Sequence, residues 1–508
     1  MTTATAPARP ARAARRLPAP PSFLRLCWIE LRRSPMPLIL PLIALLFWFD
    51  SYRPSTTQAP LYPLVTFWNL GQGHTIIDFG PFVAGMSAWI GSRDGRRNTV
   101  DLVSATPRPR WAAQLAAWAS AAAWAVAGYL ACIGVTFALY AHRGVAGSPP
   151  WWWVAVGACA VLAFSAAGFT AGTLLPNRFA APIAAFGGFL VMMMSSQAGF
   201  ADRSGWALIL PSNSNGNFQA DSGILYPWLP DLPIARTMFF AGITVAAIIV
   251  AGLPAAAGGR RLRMTAAALT AAGLATTGTA VGLASTARLS AHGMVIPALH
   301  DAASDRLTSY TPVCTGTGFR VCVNPAYRRY LADTAAALAP AVASVAGLPG
   351  APVRAVQGPA VYDSADGGGG QPVTISGSPP VLSVPLGAWS FLPGINGFST
   401  GPDSVGAFRQ SVWLLFGQAF VGAGHGPGTP AQQAVQAALL QRLGVPFADQ
   451  PGLLGSIELT SGHPEPLPGP VAAAAGRLAA LPAATRHAWL ATHLAALRAG
   501  DVPLSQLP

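Results

Sequence analysis

Lysine is absent from this 508-residue chain; all 31 of its basic side chains are arginine. That gap removes whole chemistries. A Walker A loop needs a lysine to reach a nucleotide's phosphates, and Schiff-base catalysis needs a lysine amine. The polypeptide can do neither, so any ATP hydrolysis linked to it belongs to a partner. Charge of either sign is scarce too, at 10% of residues against 52% hydrophobic, where soluble proteins carry about 25% charged residues. The imbalance predicts a membrane protein. A zinc-peptidase HExxH is missing. None of the outer histidines (His292, His300, His425, His463, His487, His493) has the i, i+4 partner that puts two imidazoles on one helix face. No metal and no cofactor are expected, and the chain is not expected to be an enzyme itself.

The net charge of +13 invites a nucleic-acid reading, but its distribution opposes one. Residues 1–285 hold 20 arginines and 8 acids, whereas residues 286–508 hold 11 and 10. The excess lies among the apolar runs and follows topology, so no nucleic-acid partner is expected. All-arginine basic usage with abundant Ala, Gly and Pro points to a GC-rich bacterial genome. Of five cysteines, Cys27, Cys132 and Cys159 lie in or near apolar helices and read as small core residues. Cys314 and Cys322 lie eight apart in a polar stretch assigned to the outside, where a disulfide closing a small loop is predicted.

Residues 1–20 are rich in Ala, Pro and Arg and read as a disordered basic tail. Residues 21–287 read as a helical membrane domain. Its entry, PPSFLRLCWIELRRSP, has the spacing of an interfacial amphipathic helix, with Arg25, Glu30, Arg32 and Arg33 interleaved; an extension of the first span is the alternative. Spans follow at about 36–50, 74–92, 111–141, 151–174, 180–200, 235–257 and 264–286, some seven in all. The first is retained rather than cleaved, because no small-x-small site follows it. Arginines alternate in the connections: the inner segments hold 16, while the outer ones hold Arg53, Arg143, Arg203 and Arg236. The positive-inside rule then puts the N-terminus inside. Gly278-x-x-x-Gly282 in the seventh span has a close-packing spacing.

The segment that organises the rest is RDGRRNTVDLVSATPRPR, residues 93–110, with five arginines against Asp94 and Asp101. Taken as charge alone, it is a basic loop that resists translocation. Its spacing also resembles a signature of type-2 ABC-transporter permeases, Arg-Glu-x-x-x-Gly-Thr-x-Glu-x-Leu closing in Pro-x-x-Arg. Here Arg93 and Asp94 stand for Arg-Glu, and Asn98 and Thr99 for Gly-Thr. Asp101 and Leu102 overlap the Glu-x-Leu part, and Pro107 and Arg110 close it. The departures are Asp for both Glu, Asn for Gly, and Leu102 directly after Asp101. The resemblance covers roughly residues 20–260. It implies an ATPase-coupling loop (Arg93, Asp94, Arg97, Thr99, Asp101, Leu102, Pro107, Arg110) that carries a short cytoplasmic helix and docks on a separate ATP-binding-cassette ATPase subunit. It further implies a homo- or heterodimer of permease chains in the lipid bilayer of a bacterial cell membrane, exporting an unidentified substrate.

Residues 288–508 are long enough for a folded unit and read as an extracytoplasmic α+β domain with a helical C-terminal half. A helix is predicted over 325–348, strands over 351–363 and 380–389, and helices over 404–422, 430–444, 470–481 and 484–498. The fold class is therefore mostly α: a polytopic helical membrane domain plus this outer domain. Two other functions remain open, a membrane-anchored extracellular binding or sensor protein, and a membrane-bound hydrolase with a degenerate peptidase-like outer domain.

Overall fold

The computed structural model describes residues 23–51, 74–99, 110–144, 147–201, 208–211, 225–252, 260–290, 293–316, 318–358, 373–385, 404–423, 428–444 and 467–508. The first part is helical. Helix α1 (Phe23–Arg33) leads through a 3-10 turn (Met36–Leu38) into α2 (Leu40–Ser51), and α3 (His74–Gly91) runs directly into the four-residue α4 (Arg93–Arg96). Then come α5 (Arg110–His142), α6 (Trp151–Leu174), α7 (Ala180–Ala201), α8 (Asp231–Gly252) and α9 (Arg260–Ser285).

Four of these, α5, α6, α8 and α9, are long and apolar enough to cross a membrane. The bent pair Phe23–Leu38 and Leu40–Phe49, with 46° between its halves, makes a fifth if it counts as one span. The apolar stretches Ile76–Gly91 in α3 and Ala180–Ser195 in α7 are shorter. This composition is compatible with a membrane protein. At about 1.5 Å per residue, α5 is about 50 Å long, well beyond a bilayer core of about 30 Å.

The helices pack through small residues. Where α3 crosses α6, Gly168 and Gly172 lie so close to the backbone of Ala84 and Ala88 that a Cβ on either would overlap it, and Ser87 and Ser165 share a buried 3.0 Å hydrogen bond. Gly242 and Gly273 make the same kind of close approach between α8 and α9. Among the described residues the Gly278-x-x-x-Gly282 pair has no packing neighbour, since no atom lies within 4 Å of either Cβ position. Arg236 also departs from expectation. It is not in an outer loop, because α8 begins at Asp231 and carries Arg236 in its second turn at 1% exposure. There its Nε donates to the Leu208 carbonyl at 2.8 Å, and its guanidinium sits 5.3 Å from the Trp153 ring centre. These contacts stand in for water around a buried guanidinium.

Beyond α9 a short hairpin, β1 (Arg288–Ser290) with β2 (Gly293–Val295), precedes a five-stranded sheet. Its strands are β3 (Val313–Thr315), β4 (Arg320–Val323), β5 (Arg354–Gly358), β6 (Thr374–Ser376) and β7 (Val381–Pro385), in the order β3-β4-β5-β7-β6. The central β4, β5 and β7 are parallel and the two edge strands antiparallel. Helix α10 (Leu331–Ala343) makes the β4-to-β5 crossover that a parallel pair requires. Register aligns Val321, Ala355 and Leu382 across the three parallel strands, all buried at 2% exposure or less. The same hydrophobic core takes in α10 and the helices that follow, α11 (Ser404–Val421), α12 (Pro430–Arg442), α13 (Gly469–Ala480) and α14 (Ala483–Ala499).

Cys314 and Cys322 face each other across β3 and β4 and are disulfide-bonded. The packing does not divide cleanly at residue 287. Met294 and Ile296 belong to the clusters among the helices, while Leu225 and Tyr226, from the connection before α8, belong to the core of the C-terminal unit. The Thr308 amide donates to the Leu225 carbonyl at 2.7 Å.

Candidate functional site

The basic segment after α3 opens with Ser92, whose hydroxyl donates to the Trp89 carbonyl at 3.2 Å and accepts from Arg96 Nε at 3.0 Å. Arg96 also donates to the Trp89 carbonyl at 2.8 Å and lies 3.4 Å above the Trp89 ring. A cation over the last carbonyls of α3 opposes the negative end of that helix, which is where one is stabilising. Burial, followed by the neighbouring Arg97, lowers the Arg96 pKa.

Arg93 reaches sideways. Its two terminal nitrogens donate to the two carboxylate oxygens of Glu30 on α1, at 3.1 and 3.4 Å, and its Nε lies 3.5 Å from Asp94. Partial burial pulls its pKa down, but Glu30 and then Asp94 outweigh that and leave it raised. The fork-to-carboxylate geometry fixes direction as well as distance. On the other side Gly95 abuts Pro176, in the turn between α6 and α7, so closely that no side chain fits there. The short helix α4 is thus wedged between α1 and that turn.

The helix stops at Asn98, which adopts φ +52°. The amide of Asn98 donates to the Gly95 carbonyl, and that of Thr99 to the Asp94 carbonyl at 3.0 Å, a paired C-terminal cap built on a left-handed residue. The Thr99 hydroxyl reaches the same Asp94 carbonyl at 3.3 Å. Glycine takes this conformation without cost and asparagine is the next most tolerant residue. Asn98 is therefore a conservative departure from the glycine of the signature in backbone terms.

Of the residues singled out in the sequence, Arg93, Asp94 and Thr99 are joined in this one cap-and-bridge arrangement, and Arg97 is exposed beside it. Asp101, Leu102 and Pro107 lie outside the described residues. Arg110 begins α5 as a separate element, and among the described residues its buried Nε has no hydrogen-bond partner. Gln114 Oε1 and Trp118 Nε1, one and two turns along, are in the same condition. Glu30 and Pro176 are the members sequence reasoning missed. Glu30 was visible as the lone acid among the arginines of α1, but its partner lies 63 residues away.

A Gly-x-Ser-x-Gly motif, taken in sequence reasoning to be absent, does occur, as Gly397-Phe398-Ser399-Thr400-Gly401. It lies outside the described residues and is assigned no geometry. Among the described residues no three His, Cys, Asp or Glu side chains gather as a metal site would require. No protein-family model matches the chain, and no curated protein or solved structure matches it either.

Proposed function

We propose that this chain is the membrane permease subunit of an ATP-driven transporter of the type-2 ATP-binding-cassette class, working as an exporter with a separate ATPase chain. The observation that carries the reading is the short helix α4, fixed between α1 and the 175–179 turn, with Arg97 exposed at its end. An element this small, bonded to one helix and wedged against a turn between two others, is suited to pass a push from a docked partner to several spans at once. The absence of lysine supports the division of labour, since the chain lacks the residue a phosphate-binding loop needs.

On this reading all seven apolar helices belong to the bilayer, the N-terminus and residues 93–110 face the cytoplasm, and residues 288–508 lie outside a bacterial cell membrane. Two permease chains, identical or related, would enclose the path. A second reading, a membrane-anchored extracellular binding or sensor protein, draws on the extensive hydrophobic core of the C-terminal unit, completed by Leu225 and Tyr226.

Purification of the tagged full chain from its native membrane separates the two. The transporter reading expects a Walker-containing ATPase to co-purify, and expects Asp101→Ala with Arg110→Ala to abolish that association. Association and export that persist in the double variant would overturn the coupling role. Membrane-impermeant labelling of a cysteine placed at Arg97 from outside intact cells would overturn the topology.

A further inference from the structure

Three titratable groups meet at the outer end of α8, and none has a part in the function proposed above. Asp231, in the first turn of that helix, is fully buried. One of its oxygens accepts from the Ile296 amide at 2.9 Å and lies 3.2 Å from His300 Nδ1. The opposite ring nitrogen, Nε2, lies 3.0 Å from Asp305 Oδ1. Side-chain exposure rises along this row, from 0% at Asp231 to 16% at His300 and 46% at Asp305. The imidazole therefore stands between a sealed carboxylate and an open one.

Counting protons decides which form of the ring fits. A carboxylate only accepts, and a neutral imidazole has a single N–H. A neutral His300 could satisfy one carboxylate while turning a lone pair on the other. Only the imidazolium donates to both. The two carboxylates sit on opposite ring nitrogens, so they do not converge on a point where a metal could be held. Asp231 and Asp305 are the charged groups acting on the ring, and Asp301, next in the chain, commits its carboxylate to the Ala303 amide. Partial burial works against the charged ring, but Asp305 and Asp231 outweigh it, and the His300 pKa is raised above its ordinary 6.5.

We propose that His300 is a proton-operated latch that, as the imidazolium, clips residues 296–305 to the outer end of α8 and, on losing its proton, releases Asp305 and loosens that segment. The ligand is the proton of the outer medium. The element held is the stretch of chain between the β1–β2 hairpin and the five-stranded sheet. The direction follows from linkage. The folded state holds this proton more tightly than the unfolded state, so the stabilisation is complete below about pH 6.5 and is lost as pH rises through the raised value. Between those limits the opening constant of the segment rises by up to about tenfold per pH unit, the signature of one proton. The latch does not depend on an ATPase; only its facing the outer medium rests on the topology proposed above.

The test is hydrogen–deuterium exchange of the full-length protein in lipid nanodiscs from about pH 5.5 to about pH 9, corrected for intrinsic exchange. Peptides spanning 294–306 should lose protection as pH rises, by up to about tenfold per unit above pH 6.5. Asp305→Asn removes the exposed carboxylate, does not disturb the buried pair, and should move the release to lower pH. His300→Gln should flatten the profile; if that variant does not fold, Asp305→Asn alone carries the test. A pH-independent wild type, or either variant keeping the wild-type midpoint, would overturn the latch.

Discussion

Adding one methyl group at Gly168 should damage this protein more than the same change at Gly278. In each case the glycine is the first of a Gly-x-x-x-Gly pair on an apolar helix, but the surroundings differ. A Cβ at Gly168 would stand 2.7 Å from the Cα and carbonyl carbon of Ala84, and closer still to its oxygen. Ordinary contact begins at 3.4 Å, so α3 and α6 must part by at least 3.4 − 2.7 = 0.7 Å. If that displacement reaches Ser87 and Ser165, their 3.0 Å bond opens to 3.7 Å, past hydrogen-bonding range. Overpacking costs about 1–3 kcal/mol, and an interhelical hydrogen bond in a membrane contributes about 0.6 kcal/mol. Gly168→Ala should therefore destabilise by roughly 2–3 kcal/mol. Gly172→Ala, whose Cβ would lie 2.8 Å from the same atoms of Ala88, should do likewise. One separation relieves both clashes, so the double variant should cost less than the sum of the singles. At Gly278 and Gly282 nothing among the described residues lies within 4 Å, and alanine should be neutral or stabilise by up to about 1 kcal/mol through helix propensity. Equilibrium unfolding of the purified protein by titration from mild detergent into SDS reads all five variants. The reasoning fails if Gly172→Ala unfolds at the parent's midpoint, or if Gly282→Ala costs as much as Gly172→Ala.

Asn98 offers a test at the cap of α4. Asn98→Gly should be tolerated, whereas Asn98→Val should cost about 1–2 kcal/mol locally, the penalty of a left-handed residue with a bulky Cβ; proteolytic nicking near residues 98–100 would rise only in the second. Removing the disulfide by Cys314→Ser with Cys322→Ser frees a loop of sequence separation 8, worth roughly 2.5 kcal/mol by chain entropy. The double variant should unfold at lower denaturant, and thiol labelling of the parent at these positions should appear only after reduction. Leu382→Ala, at 0% exposure in the middle of the sheet, should lower stability by about 2–5 kcal/mol, measured by the loss of protection in β4 and β5.

What the sequence revealed and what it hid follow from the range of the interactions. Every long helix was legible, because apolar runs and helical periodicity are local signals, and Cys314 and Cys322 were legible by their spacing in a polar stretch. The strands β3, β4 and β6 were not, since each is only three or four residues long and gains its identity by pairing. The crossing at Gly168 and Gly172 was hidden for another reason. Its spacing is the same as at Gly278 and Gly282, and only the neighbour across the interface distinguishes them. Arg236 was misplaced because an arginine near the end of an apolar run reads as interfacial, and nothing local announces that Leu208, 28 residues earlier, supplies its acceptor. Asp231 and His300 are 69 residues apart, and their meeting leaves no trace in either stretch alone.

The seating of Leu225 and Tyr226 in the core of the C-terminal unit bears on any attempt to dissect this molecule. The polypeptide passes between the two regions more than once, so a cut after α9 would not release a self-contained part. A fragment starting there would want two pieces of its own interior. The remainder would expose an aromatic ring and a leucine that evolved to be covered.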